Sequence, residues 1–204
     1  MEPKELILKE SLDLFLNHGF KSVTMDEIAS KMGMSKKTLY THYKNKSELV
    51  AATSLHMCNY ICEGVTTIAR NEERNPIEEL YEIKSYVMRE LKGDNSSSIY
   101  QLQKYYPEIH KVITKQMYDF MDNCIYRNVE RGIELQLYRD NIDKTFVARM
   151  YFVGIQGIKD ISIFPTDQFP QDKLYDQYLD YHLRGIVTPA GRRILNELTQ
   201  TNHH

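Results

Sequence analysis

Few residues in this sequence break or cross-link the chain. Six prolines and nine glycines in 204 residues leave long stretches without a breaker. Most of them stand where a connection is expected, as at Gly19, Gly33, Pro76, Gly93 and Pro165. The three cysteines, Cys58, Cys62 and Cys124, are odd in number and form no Cys-x-x-Cys pair. That excludes a disulfide framework and fits a reducing, cytoplasmic setting. No apolar run approaches a membrane span, and the opening MEPKELILKE is charged where a signal peptide needs an unbroken apolar stretch. No Gly-x-Ser-x-Gly, His-Glu-x-x-His or glycine-rich phosphate loop occurs. No catalysis, metal or cofactor is therefore expected. Strand-like alternation, repeats and low-complexity segments are missing too, so the expected fold class is all-α.

What the chain does have is helical periodicity and an uneven charge distribution. The hydrophobic fraction of 42% is ordinary for a protein with a real core, and the net charge is only −2. Residues 1–46 hold eight lysines against six acidic residues, and residues 31–46 hold five lysines (Lys31, Lys36, Lys37, Lys44, Lys46) and no acid. A local positive patch on an acidic chain suits phosphate attraction, and equally suits a solvated surface. Residues 3–18 predict a first helix whose buried face is Ile7, Ser11, Leu14 and Phe15. Gly19 ends it and Phe20 folds back as an apolar plug. Thr24 and Glu27 form a Ser/Thr-x-x-Glu capping box that starts a second helix, which ends near Met32. Ser35 caps a third helix that runs to about Tyr43. A fourth, from Lys46 or Ser47, continues toward Arg70. Later helices are expected over 76–92, 96–104, 108–136, 143–163, 171–187 and 189–199.

Residues 24–43, TMDEIASKMGMSKKTLYTHY, read as a helix, a glycine turn and a short helix. Ala29 is small enough for the two helices to cross, while Ile28, Met34 and Leu39 point into a shared core. Lys36, Lys37, Thr38, Tyr40, Thr41 and His42 are left outside on the third helix. A helix-turn-helix offers such a face to the DNA major groove. Lysine donates to guanine edges, threonine and histidine bond base edges, and tyrosine hydroxyls suit phosphate oxygens. The same pattern also occurs in plain helical bundles.

The run Ile7, Leu8, Ser11, Leu14, Phe15, Gly19, Phe20, then Thr24, Ile28, Ala29, Gly33, Met34, Ser35, then Thr38, Leu39, Tyr40, His42, Tyr43, Lys46 and Leu49 resembles the N-terminal signature of the TetR family of transcriptional regulators. The resemblance covers about residues 7–49 and is most specific over GMSKKTLYTHYKNK. It implies a three-helix DNA-binding head over 1–46 and a helical-bundle domain for ligand binding and dimerisation over 47–204. By position, Thr24 caps the second helix beside a phosphate. Ser35, Lys36, Lys37, Thr38, Tyr40, Thr41 and His42 form the DNA interface, with Lys36 and Lys37 reading bases. Tyr40, Tyr43 and Lys46 clamp phosphates, although Tyr43 also suits packing against the first helix. Lys37 departs from the glycine or proline of many relatives, adding charge where the backbone would otherwise approach closely.

Beyond residue 50 the resemblance is weaker. Tyr106–Pro107–Glu108 and the run Leu137 to Asp143 still look like family features. The resemblance implies a homodimer through the last two long helices, here 143–163 and 171–187. The candidate interface is Phe152, Gly154, Gly157, Ile158, Ile161, Tyr178, His182 and Ile186, joined by Ile155 and Leu179; an intramolecular core is the alternative. A ligand cavity would draw on Tyr86, Tyr100, Tyr106, Met117, Met121 and Cys124. The last three share a helix face at i, i+4 and i+7, a stripe that also suits plain core. Cys58 and Cys62 are helix neighbours, suited to burial or to a redox or metal switch. His203 and His204 have the look of a tag remnant. The implied function is a repressor released from a palindromic duplex operator by a small-molecule effector of unknown class. The competing readings are a binding module that kept the head, and an enzyme without a recognisable motif.

Overall fold

The computed structural model describes residues 3–91 and 96–201. The turn expected at Gly93 and the terminal His203 and His204 lie outside the described residues. Within them are ten α-helices and no strand: α1 (Pro3–His18), α2 (Met25–Lys31), α3 (Lys36–His42), α4 (Lys46–Ala69), α5 (Pro76–Glu90), α6 (Ser96–Tyr105), α7 (Pro107–Glu134), α8 (Lys144–Gly157), α9 (Gln171–Ile186) and α10 (Pro189–Thr201). The chain divides into two compact units, Met1–Ile61 with Asn95–Met117, and Cys62–Asp94 with Tyr118–His204.

In the first unit, local chemistry sets each boundary. The Thr24 hydroxyl accepts the Glu27 N–H at 3.2 Å, and the Thr24 N–H donates to the Glu27 carboxylate at 2.7 Å, closing the capping box. These bonds from Thr24, led by the backbone N–H, hold the Glu27 carboxyl below its ordinary pKa. Gly33 has φ of 61°, a conformation that side-chain-bearing residues adopt at a cost, and it turns the chain from α2 toward α3. Phe20 is buried and stacks on Phe15 with ring centroids 5.0 Å apart. Ile7, Phe15, Ile28, Ala29, Leu39, Leu49 and Val50 are central to the apolar core. Leu102 of α6 enters the same core. The Ser98 hydroxyl donates to the Leu16 carbonyl at 3.2 Å, and the Gln101 carboxamide oxygen accepts the Lys21 N–H at 3.1 Å. Residues 80 positions away thus complete the three-helix head.

The second unit is organised around a buried polar chain. Glu79 on α5 is 3% exposed. Its Oε1 accepts from Asn128 Nδ2 at 2.8 Å and its Oε2 from Arg131 Nη1 at 2.7 Å. Tyr138 donates its hydroxyl to Asn128 Oδ1 at 3.1 Å. The Tyr138 ring fills the space beside Gly132, where a Cβ would collide with it. Burial raises the Glu79 pKa, and Asn128 and Arg131 partly offset that rise. Val187, at the C-terminal end of α9, pairs with Tyr138 in an isolated antiparallel bridge, which ties the end of α9 to the segment after α7.

One expected boundary is corrected. The helix expected over 143–163 ends at Gly157. The Asp160 carboxylate accepts the Ser162 N–H at 2.9 Å and the Ser162 hydroxyl at 2.6 Å. That local turn competes with further helix, so Ile161 sits in a turn rather than on α8.

Candidate nucleic-acid interface and regulatory cavity

The outer face of α3 is polar and open. Lys36, Lys37, Thr38, Tyr40 and Thr41 are exposed and His42 is half-buried, while Leu39, fully buried, anchors the helix from the other side. Ser35 caps the helix through a Thr38 N–H to Oγ bond of 3.0 Å and also shares a hydroxyl contact with Thr38 at 2.8 Å. The Thr41 hydroxyl donates to the Thr38 carbonyl at 2.6 Å. These bonds hold the hydroxyls in fixed orientations along one face. Lys36 Nζ lies 2.7 Å from the Asp26 carboxylate of α2. Hydrogen bonding to that carboxylate, together with its charge, raises the Lys36 pKa.

Two expected contacts sit differently from their assigned roles. Tyr43 is 2% exposed, its ring in the head core and its hydroxyl buried. Burial raises its pKa. A buried hydroxyl cannot clamp a phosphate, so the packing alternative describes this residue. Lys46 is half-buried, and its ammonium donates to the exposed Lys21 carbonyl at 3.0 Å. Desolvation lowers the pKa of its ammonium, and the Glu27 charge partly offsets this. The hydroxyl and N–H of Thr24 are both engaged by Glu27, so the residue acts here as a cap.

In the second unit, Thr66, Glu79, Phe120, Cys124, Arg127 and Asn128 are among the residues lining a cavity of about 270 Å³. Of the six expected pocket residues, Cys124 lines it and the other five do not. Tyr86 packs its ring end against Gly64. Tyr100, Tyr106 and Met117 fall in the first unit, with Tyr106 packed on the head core. Met121 is half-buried and outside the lining. The α7 residues that line the cavity are Phe120, Asn123, Cys124, Arg127, Asn128 and Arg131. The signal available in the sequence was Asn123, Arg127 and Arg131, polar residues at the i, i+4, i+8 spacing normally held by apolar ones. Cys58 is buried, and no group of three potential metal ligands occurs among the described residues.

Most of the expected dimer residues are occupied within the chain. Gly154 receives the Tyr178 ring, and the Tyr178 hydroxyl donates to the Met150 carbonyl at 2.9 Å. Ile158 and Ile186 are buried, His182 packs edge-on to Tyr151 at 5.0 Å, and Phe152 packs edge-on to Tyr118 at 5.1 Å. Packing of α8 against α9 and α7 within the chain occupies those side chains. Gly157 alone of the set opens on free space. It continues an exposed stripe on α8, Phe146, Met150 and Val153, and α9 exposes Tyr181.

Residues 7–53 match the family model described as bacterial regulatory proteins, tetR family. Similar proteins include two uncharacterised HTH-type transcriptional regulators of Bacillus subtilis strain 168. YerO is 37% identical over 79 residues, which are 39% of this chain and 25% of YerO. YvaF is 24% identical over 181 residues, 89% of this chain and 94% of YvaF. The first match thus spans a quarter of its relative and the second nearly all of it. Among solved structures, SmeT, the repressor of the Stenotrophomonas maltophilia multidrug efflux pump SmeDEF, superposes with a TM-score of 0.68 at 19% identity, covering 93% of this chain and 92% of SmeT. SmeT is also known in complex with triclosan. The fold shared with SmeT therefore extends well beyond residues 7–53. No described helix is long and apolar enough to cross a membrane.

Proposed function

We propose that this protein is a homodimeric transcriptional repressor that grips duplex DNA with α3 and is released by a small molecule bound in the second unit. The observation that carries the reading is the tetR-family match over residues 7–53 falling on a helix-turn-helix with an exposed, lysine-bearing α3. Lys37, Tyr40, Thr41 and His42 are the contacts we assign to DNA directly. Ser35 and Thr38 fix the start of α3, and Lys36 contributes once it leaves Asp26. Tyr43 packs in the head core, and Lys46 ties the start of α4 to the Lys21 carbonyl. Two copies of α3 must stand about 34–36 Å apart to enter successive major grooves of a palindromic site. A ligand that favours another spacing lowers DNA affinity by its preference between the two states. Helix α4 begins in the head unit and ends at the cavity, where Thr66 and Ala69 line the wall.

The dimer surface we assign is Phe146, Met150, Val153 and Gly157 on α8 with Tyr181 on α9. They recur at helical spacing and stay exposed in a single subunit, and an exposed apolar stripe of this kind marks an association surface. The test of function is selection of bound fragments from genomic DNA, followed by gel shift at several salt concentrations. A palindromic site bound far above random duplex, with a steep salt slope, is expected. Equal retention of all fragments would overturn the reading. For the dimer, Val153→Asp should halve the mass found by light scattering, and a monomeric wild-type protein would refute that part.

A further inference from the structure

The cavity in the second unit carries positive charge that its own wall does not neutralise. Glu79 is the single carboxylate among its lining residues that are described. Both Glu79 oxygens are taken, one by Asn128 and one by Arg131. Arg131 is committed in turn to Glu79 and to the carbonyls of Glu72 and Arg74. Arg70, just past α4, and Arg127 on α7 line the same cavity. Neither guanidinium has an ion-pair or hydrogen-bond partner among the described residues. Beside them, Ala69, Phe120 and Cys124 give an apolar stretch of wall. Burial pushes the Cys124 thiol up to about 12, so it stays neutral and adds no negative charge.

We propose that this cavity binds a small organic anion, a carboxylate or phosphate monoester with an apolar body, whose oxygens are held by Arg70 and Arg127. Guanidinium groups present paired donors that match an oxyanion's geometry. A volume of about 270 Å³ lies at the lower end for small-molecule sites, which limits the body to a short chain or a ring or two. That the anion is the effector rests on the ligand-released repressor reading; the anion site itself does not.

The test is calorimetry on the full-length protein with octanoate, octyl phosphate, octanol, octylammonium and inorganic phosphate. Octanoate or octyl phosphate should bind at least about tenfold tighter than octanol and octylammonium, a difference of about 1.4 kcal/mol. The better of the two anions identifies the oxyanion. The double variant Arg70→Gln/Arg127→Gln should lose about tenfold or more of that affinity while its melting temperature stays that of wild type. Arg127→Lys should keep part of the affinity. Equal binding of octanol, an unaffected double variant, or no binding of either anion at millimolar concentration would overturn the site. Inorganic phosphate binding as tightly as octyl phosphate would overturn the apolar body. Gel shifts run alongside separate the two claims. An arginine-dependent anion that leaves DNA affinity unchanged removes the effector role alone. A protein that binds the anion but no DNA removes the repressor reading and leaves the site standing.

Discussion

In the first unit the buried polar side chains are hydroxyls: Ser11, Thr53, Ser54 and Ser98. The second unit buries a carboxylate and two carboxamides, Glu79, Asn128 and Gln171. Ser98 donates to the Leu16 carbonyl, and the hydroxyls of Ser11, Thr53 and Ser54 have no partner among the described residues; an unpaired hydroxyl costs far less to bury than an unpaired carboxylate. A buried carboxylate needs a cation and donors brought from elsewhere in the chain. Glu79 finds them 49 and 52 positions away, at Asn128 and Arg131. The first unit is therefore stabilised by many small apolar contacts, the second by a polar keystone whose parts depend on one another.

The largest expected effect tests that keystone. Arg131→Ala leaves the Glu79 carboxylate, 4% exposed, without its counter-charge, and should cost about 3–5 kcal/mol in denaturant unfolding. Adding Glu79→Gln should recover part of the loss, because the uncompensated charge disappears. Leu39→Ala in the head should cost a similar amount, about 2–5 kcal/mol, but with no polar partner to adjust, a distant second substitution should simply add to it. An Arg131→Ala protein as stable as wild type, or strict additivity with Glu79→Gln, would erase the contrast between the units.

A second difference shows as pH falls. His182, in the second unit, is pushed down to about 4 by burial, and its Nε2 has no partner among the described residues. In the unfolded chain it takes a proton near 6.5, so the folded form binds fewer protons between the two values. Its contribution is complete above about 6.5 and is lost as pH falls toward 4, at no more than about 1.4 kcal/mol per pH unit for one proton. His182→Phe should flatten that part of the stability curve. An unchanged curve would mean that water reaches the imidazole.

The next effect is smaller and shows why the head was easier to read in the sequence. Thr24→Ala removes the α2 cap, and should cost about 1 kcal/mol without changing the core; a wild-type unfolding midpoint would contradict it. Thr24, Glu27, Gly33 and Ser35 lie within twelve residues, and each acts through its neighbours. Short-range patterns of this kind are visible in a sequence. The resemblance supplied the recognition face, and the polarity of Lys36 to His42 agreed with it. What escaped was long-range. Leu102, Ser98 and Gln101 complete the head from more than 50 residues beyond α3, and nothing local marks them. The cavity escaped because Met117 and Met121 follow the usual rule for a pocket or core stripe, whereas its lining uses Arg127, Asn128 and Arg131. Most of the expected dimer residues pack inside the chain for a related reason. Apolar periodicity marks both an internal and an external face of α8, and Asp160 ended that helix early.

The smallest effect on the fold should be the most informative about DNA. Asp26 and Lys36 are both well exposed, so breaking their pair should leave folding nearly unchanged. Its consequence lies at the interface, since a phosphate or a guanine must compete with the Asp26 carboxylate for the ammonium. Random duplex seldom presents the matching base edge in register, which leaves mainly phosphates, and should recruit Lys36 poorly. A correct site, which aligns α3 in the groove, can offer a base edge in return. Asp26→Asn should therefore tighten binding to scrambled DNA and steepen its log–log salt slope by about one per half-site. The ratio of operator to scrambled affinity should fall. Lys36→Ala should weaken operator binding by roughly tenfold per half-site and flatten preference at one base position, with little effect on scrambled DNA. Gel shifts of both variants on both DNAs at two salt concentrations decide the matter. If Lys36→Ala loses the same factor on each DNA, the lysine is a phosphate clamp and base reading passes to Lys37 or His42. If Asp26→Asn changes neither slope nor ratio, the pair is surface decoration, and the head discriminates by its α3 face alone.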